Sequence, residues 1–253
     1  MQNWDVLQLD NFLAGNPKFR IAEINDEKVV LSGEYHLKAQ LSGSQIIDKT
    51  YQLKFICTND YPRKLPLVVD EGRYFPRNQE YHTYSDGAFC LGSELKIKHI
   101  LRADHTIKAF FDNVVDPFLY SVSHHIEYGD YPFGDLDHGE QGLIDDYAEM
   151  FGLKDKASIL LAFKALGKRK REANKLPCPC GCGLRLGRCD YRFKLNEFRD
   201  IERQRWFRTY LEKSFTPIEH PKKSKKKVTG GCKNNCVNAH CGGLSQQRLN
   251  EQT

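Results

Sequence analysis

From Val29 to Leu41 the odd positions Val29, Leu31, Gly33, Tyr35, Leu37, Ala39 and Leu41 alternate with largely polar even ones, the period of a half-buried antiparallel strand. A second alternating run sets Tyr51, Leu53, Phe55 and Cys57 on one face and Gln52, Lys54 and Thr58 on the other, and Asn59-Asp60-Tyr61-Pro62 closes it. Cys57 therefore reads as a packed core thiol. Phe19 to Ile24 and Leu67-Val68-Val69 make two further short strands, and Trp4, Leu7, Leu9, Phe12 and Leu13 make a short helix that Gly15-Asn16-Pro17 stops. The polar, aromatic stretch from Glu71 to Phe89 is too long for a hairpin turn, and loops of that length are usually functional or disordered.

After the strands the period changes. Ile107, Phe110, Phe111, Val114, Val115, Phe118 and Leu119 form the one-sided stripe of a core-facing helix, which Pro117 is expected to kink or end. Leu143, Ile144, Tyr147, Met150 and Phe151 predict another helix stopped by Gly152, and Ile159, Leu160, Phe163 and Leu166 a third stopped by Gly167. A long Arg- and aromatic-rich helical stretch runs from about Asp190 to Phe215. Four strands followed by helices predict an α+β fold.

The net charge of +5 hides an asymmetry, because residues 1–167 carry 17 Lys/Arg against 25 Asp/Glu while residues 168–227 carry 19 against 7. Such a split commonly marks two modules with different partners, the basic one suited to nucleic acid or to an acidic protein surface, unless it is simply a solvated face. No apolar run reaches the length of a membrane span, and the start Met1-Gln2-Asn3-Trp4-Asp5 lacks the pattern of a secretory signal. A cytoplasmic protein without a membrane partner is expected. Seven of the nine cysteines crowd into two C-terminal clusters, a distribution that favours metal binding over disulfides.

The thiol that stands apart is Cys90, which follows the turn-rich polar loop His82-Thr83-Tyr84-Ser85-Asp86-Gly87 and precedes Leu91-Gly92. Turn residues on one side and glycine on the other predict irregular backbone near the surface, where a thiol can react. The order of features, a helix, a four-stranded meander, Tyr61-Pro62, a long flap with His82, a cysteine eight residues later in a Cys90-Leu91 pair and then an amphipathic helix, resembles a ubiquitin-conjugating enzyme over roughly residues 1–125. The resemblance implies that fold over residues 1–167, of a bacterial type that occurs in antiphage defence operons. It also implies Cys90 as carrier of a thioester, an activating enzyme, a ubiquitin-like modifier or modified protein C-terminus and a target protein as partners, and an architectural His82. Where the family has proline and asparagine, this chain has Thr83 and Tyr84, and the family's Trp a few residues after the cysteine is absent. The asparagine donates a hydrogen bond to the oxyanion in that family, and the Tyr84 hydroxyl is a candidate substitute that the sequence alone does not place. In the acidic loop 130–140, Asp137 or His138 falls where the family deprotonates the acceptor lysine.

Pro177-Cys178-Pro179-Cys180-Gly181-Cys182-Gly183, followed at Cys189 by a fourth thiol, has the density of a tetrahedral zinc site, with Gly and Pro allowing the tight turns. The run resembles the SEC-C motif, whose ligands match Cys178, Cys180 and Cys189. Asp190 stands where that motif has its next ligand and Cys182 where it usually has serine, so the fourth ligand is open among Cys182, Asp190 and the tail. Cys232, Cys236, His240 and Cys241 form a zinc-knuckle-like tail cluster that either completes this site or binds a second ion. Residues 168–216 are thus expected to be a basic zinc module, and 217–253, with five lysines between Pro221 and Lys227, a flexible linker and tail. Between Arg192 and Arg208 arginines interleave with Phe193, Phe198, Trp206 and Phe207, a composition that either packs inward or contacts phosphates and bases. The function expected is conjugation through Cys90; the alternative is a non-catalytic adaptor that binds protein or nucleic acid through the zinc module.

Overall fold

The computed structural model describes residues 4–133 and 139–215. Its sheet is a meander of four antiparallel strands, β1 (Phe19–Ile24), β2 (Lys28–Gln40), β3 (Ile46–Thr58) and β4 (Leu67–Asp70), in the order β1-β2-β3-β4. The register pairs Val29 with Cys57, Leu31 with Phe55, Gly33 with Leu53 and Tyr35 with Tyr51, so the two alternating sets share one face, and Cys57 is buried there as expected. β3 begins five residues before the alternation at Tyr51, because Ile46 to Thr50 continue the ladder against Gln40 to His36. Gly33 is required by close approach: a Cβ there would lie 2.1 Å from the Lys18 carbonyl oxygen, where β1 enters.

The inner face packs on α1 (Leu9–Gly15), α3 (Ile107–Phe110) and α4 (Asp116–Tyr128). Phe111 is the hub of this first core, with ring centroids 4.7 Å from Phe12 and 4.8 Å from Tyr35. Of the two outcomes expected at Pro117, a kink or an end, the helix does not end there. A π turn over Phe111–Val115 joins α3 to α4. Pro117 sits in the first turn of α4, so the missing N–H and the ring fall where the hydrogen-bond ladder is already interrupted.

A second core lies beyond. α5 (Gly139–Phe151) and α6 (Lys156–Leu166) bury their stripes with α8 (Tyr191–Ile201) and α9 (Gln204–Phe215), around Tyr147, Phe151, Phe163, Phe198 and Phe207. Helices on either side of residue 167 therefore share one interior. The predicted single helix from Asp190 to Phe215 is two helices, broken at Glu202, whose backbone is extended. The break lets Phe198 and Phe207 both point inward and brings the Glu202 carboxylate onto Lys98. Arg199 is also committed to the fold: its guanidinium donates to the carbonyls of Ala165, Leu166 and Lys168 at 2.8 to 3.0 Å, capping the end of α6.

The two cores meet on α2 (Glu94–Ile100), directly after Cys90. Leu95 joins the second core, whereas Ile97 and, just past the helix, Leu101 join the first. Buried Lys98 binds Glu94 at 2.6 Å and Glu202, and its ammonium lies 5.5 Å from the centre of the Trp206 ring. A buried cation with two carboxylates and an aromatic face is satisfied; removing one partner leaves an uncompensated charge.

Candidate active site and metal centre

The flap that precedes Cys90 is ordered by its own hydrogen bonds. Thr83 pairs with Phe89 as an antiparallel bridge, the Tyr84 N–H donates to the Ala88 carbonyl at 2.9 Å, and the Gly87 N–H donates to the Tyr84 carbonyl at 2.9 Å. With Gly87 at φ +89 this is a tight hairpin of turn plus left-handed glycine. Its return limb is laid on the edge of β4, where Val69 bridges Ala88, the Phe89 N–H donates to Val68 and the Asp70 N–H to Gly87. The hairpin thus covers part of an otherwise open sheet edge.

A charged buckle lies under the turn. The Asp70 carboxylate is fully buried and accepts the Phe75 N–H at 2.9 Å, while the Arg77 guanidinium donates to the Asp70 carbonyl and lies 3.8 Å from its carboxylate. A Cβ at Gly87 would stand 2.0 Å from Arg77 Nη1. Glycine is needed there twice, for its positive φ and for the space that the guanidinium occupies.

Cys90 is half-buried at the end of the hairpin, and its N–H donates to the His82 carbonyl at 2.8 Å. His82 itself is buried in a left-handed conformation, its ring edge-on to Tyr131 at 6.0 Å. Tyr84 is 57% exposed and lies within electrostatic reach of the Cys90 sulfur. Its interaction with that sulfur, with some burial, pushes the phenol up to about 12. A phenol that stays protonated across the physiological range is a donor at all times, to a thiolate or to an oxyanion formed beside it.

Of the five residues singled out for chemistry at the flap, Cys90, His82 and Tyr84 come together; Asp137 and His138 lie outside the described residues. At the near end of that loop Asp130 is described, and its carboxylate lies 3.4 Å from Nδ1 of buried His124. On the other side of Cys90, the Asp146 carboxylate accepts the Ser93 N–H at 3.2 Å and binds Lys96 at 2.7 Å. This carboxylate fastens the start of α2 and so the Leu91-Gly92 link. Sequence reading passed over Asp70, Arg77 and Asp146, and the only local trace was a carboxylate closing the apolar run Leu67-Val68-Val69.

The second group of thiols is built by another hairpin. Pro177 bridges Arg185, the Cys178 N–H donates to Leu184 at 2.8 Å and the Gly181 N–H to Cys178 at 3.2 Å, with Gly181 and Gly183 both at positive φ. The turn places Cys178, Cys180 and Cys182 beside Cys189, and all four sulfurs lie within 4.8 Å of one another. Ligands at ~2.3 Å from a tetrahedral ion stand about 3.8 Å apart, and the Cys178–Cys180 and Cys180–Cys189 separations of 3.2 and 3.6 Å need only a small expansion. The geometry thus brings Cys182 to the position that sequence left open, and Asp190 precedes α8. Burial pushes the Cys178 thiol well above the ordinary cysteine range, so a thiolate there calls for a cation beside it. Cys232, Cys236, His240 and Cys241 lie outside the described residues.

Comparison with family models, curated proteins and solved structures gives no match. Two facts of the fold bear on chemistry at Cys90: the residue is only half-buried, and the segments on both sides of it are pinned by buried or half-buried carboxylates. Among the described residues no helix is long and apolar enough to cross a membrane.

Proposed function

We propose that the chain is a conjugating enzyme that carries a ubiquitin-like modifier as a thioester on Cys90. The observation that carries this reading is a half-buried cysteine held at the end of an ordered hairpin, its N–H on the His82 carbonyl and the Tyr84 phenol in its neighbourhood. A thiol suits both halves of the reaction. The Cys90 thiolate attacks the thioester carbonyl of a modifier delivered by an activating enzyme, the donor's thiolate departs, and an acceptor amine then attacks the new thioester and expels Cys90. Each attack places negative charge on the carbonyl oxygen, and the Tyr84 O–H is the donor that answers it. The buckle under Gly87 and the Asp146 anchor hold the sulfur in place while its partner changes.

In this reading the four-thiol centre holds zinc and is structural. Four protein ligands leave no open position for substrate, and the hairpin they close packs Cys178 and Leu186 into the second core. The adaptor alternative makes the zinc module the binding part and Cys90 a bystander; the ordered hairpin that ends on Cys90 favours the enzyme.

Mixing the chain with its activating enzyme, ATP and modifier decides between them. The expected product is an adduct that a reductant cleaves, absent in Cys90→Ala and converted to a reductant-resistant ester in Cys90→Ser. A chain that stays unmodified beside an activating enzyme proven active on another acceptor overturns the proposal, and so does function that survives Cys90→Ala but not Cys178→Ser.

A further inference from the structure

The aromatics that interleave with arginine between Arg192 and Arg208 are mostly spent on the interior, since Phe198 and Phe207 are buried and Trp206 stacks on Tyr210 at 4.6 Å. Phe193 is different, being 59% exposed, with the Arg192 guanidinium 4.5 Å from its ring centre. It stands at the foot of the thiol hairpin, because Arg192 donates to the Gly187 carbonyl.

That hairpin is lined with cations. Its arms pair through the Gly187 and Leu186 N–H groups, which donate to the Asn174 and Leu176 carbonyls, and through the Pro177–Arg185 bridge. Lys175 and Arg185 therefore lie on one short ladder and Arg188 in the 3-10 turn that follows it, all exposed, with Arg192 at the base. From 168 to 195 the chain has nine Lys and Arg against two carboxylates, Glu172 and Asp190. Four thiolates around a divalent ion would add two net negative charges, which these cations still outnumber. A solvated face would explain the charge alone, but not an exposed aromatic ring set among the cations.

We infer that this face binds single-stranded nucleic acid, with Lys175, Arg185 and Arg188 on successive phosphates and a base stacked on Phe193. Phosphate contacts supply the attraction and the ring supplies a sequence-tolerant platform. An acidic protein surface would use the same cations but has no base for Phe193. Binding of this kind is independent of chemistry at Cys90, so the target of conjugation is brought to the enzyme through the nucleic acid or the two activities coexist.

The test uses the full-length, zinc-loaded chain and fluorescence anisotropy with a labelled 20-nucleotide oligouridine at 50 to 200 mM salt. Three to five phosphate contacts give a slope of log affinity on log salt of about −2 to −3.5. Arg185→Glu/Arg188→Glu is expected to weaken binding at least tenfold with the tail lysines intact, and Phe193→Ala at least threefold with the salt slope unchanged. Zinc content of each variant is measured alongside; should the arginine pair fail to hold metal, Lys170→Glu/Lys175→Glu takes its place with the same threshold. The inference is overturned if either loss falls short, if only replacing Lys222, Lys223, Lys225, Lys226 and Lys227 abolishes binding, or if a polyglutamate peptide of equal charge competes as well as unlabelled oligouridine.

Discussion

The two cores of this chain are closed by different means. The first is a sheet with helices on one face, held by a ladder of backbone pairs and by Phe12, Tyr35, Phe55 and Phe111, and among the described residues it contains no cluster of metal-ligating side chains. The second is made of short helices whose aromatic interior, Tyr147, Phe151, Phe163, Phe198 and Phe207, is bounded on one side by a loop of turns and thiols rather than by regular structure. A loop held by one short pairing has little to set against its conformational entropy. A metal held by the four thiols would therefore close one half of the molecule and leave the other untouched.

Stripping the metal is the strongest test of that difference, and the expected effect is the largest. A structural zinc delivers ~10 kcal/mol or more to peptides that fold only on binding it; the aromatic core here supplies part of the closure, so a loss of about 3 kcal/mol or more is expected for the second core. Hydrogen exchange before and after chelation, or in Cys180→Ser, is expected to show protection lost across α5, α6, α8 and α9 while β2 and β3 keep theirs. Equal loss in both halves would make them one cooperative unit and end the comparison.

Lys98 is the place where such coupling would act. Breaking a buried pair leaves a charge stranded and costs about 3–5 kcal/mol, so Lys98→Met is expected to destabilise by roughly 3 kcal/mol in denaturant unfolding. Lys98→Met/Glu202→Leu should recover much of that loss, because it removes the stranded carboxylate. If the double variant is no better than the single one, Glu94 and Trp206 carry the interaction instead.

How far the sequence foretold this arrangement follows the same division. The sheet was legible because its two long strands keep one period against one interior: Val29 to Leu41 and Tyr51 to Cys57 alternate, and their inward sets pair across the ladder. The metal centre was legible because four thiols within a dozen residues are a local signal. What escaped was whatever depends on distant segments. α2 gave no stripe, because Leu95 faces one core and Ile97 the other, with a buried lysine between them. The break after Ile201 has no Gly or Pro to announce it and is set by Glu202 turning toward a lysine more than a hundred residues earlier. The buckle of Asp70, Arg77 and Gly87 is equally silent, since a turn glycine in a Ser-Asp-Gly run signals the turn and not the guanidinium beneath it.

The buckle offers a test confined to the first region. Gly87→Ala sets a side chain at a positive φ and against Arg77, a strain of about 1–3 kcal/mol. The thermal midpoint is expected to fall by several degrees, and the rate at which iodoacetamide alkylates Cys90 is expected to change at least threefold as the hairpin shifts Tyr84 relative to the sulfur. Tyr84→Phe should change that rate in the same direction with little loss of stability. A Gly87→Ala chain whose Cys90 reacts at the parent rate would show that the hairpin does not position the thiol.

The smallest effect separates the halves by pH instead of metal. Tyr35 donates to the Asp116 carboxylate at 2.7 Å inside the first core, and burial above all, opposed by this hydrogen bond, pushes Asp116 up to about 6 from 3.8. A carboxyl whose folded pKa is raised holds its proton more tightly in the folded chain than in the unfolded one. Its contribution to stability is therefore complete below about pH 4 and is lost as pH rises through about 6. The full shift converts to about 3 kcal/mol, which partial exposure reduces to roughly 1–2. Asp116→Asn keeps an acceptor for the Tyr35 hydroxyl and removes the titration, so it is expected to match the parent near pH 4 and exceed its stability near pH 7.5. The gain should appear in the unfolding of the sheet region, and a parent and variant with parallel stability curves between pH 4 and 7.5 would mean that Asp116 ionises in the folded core without cost.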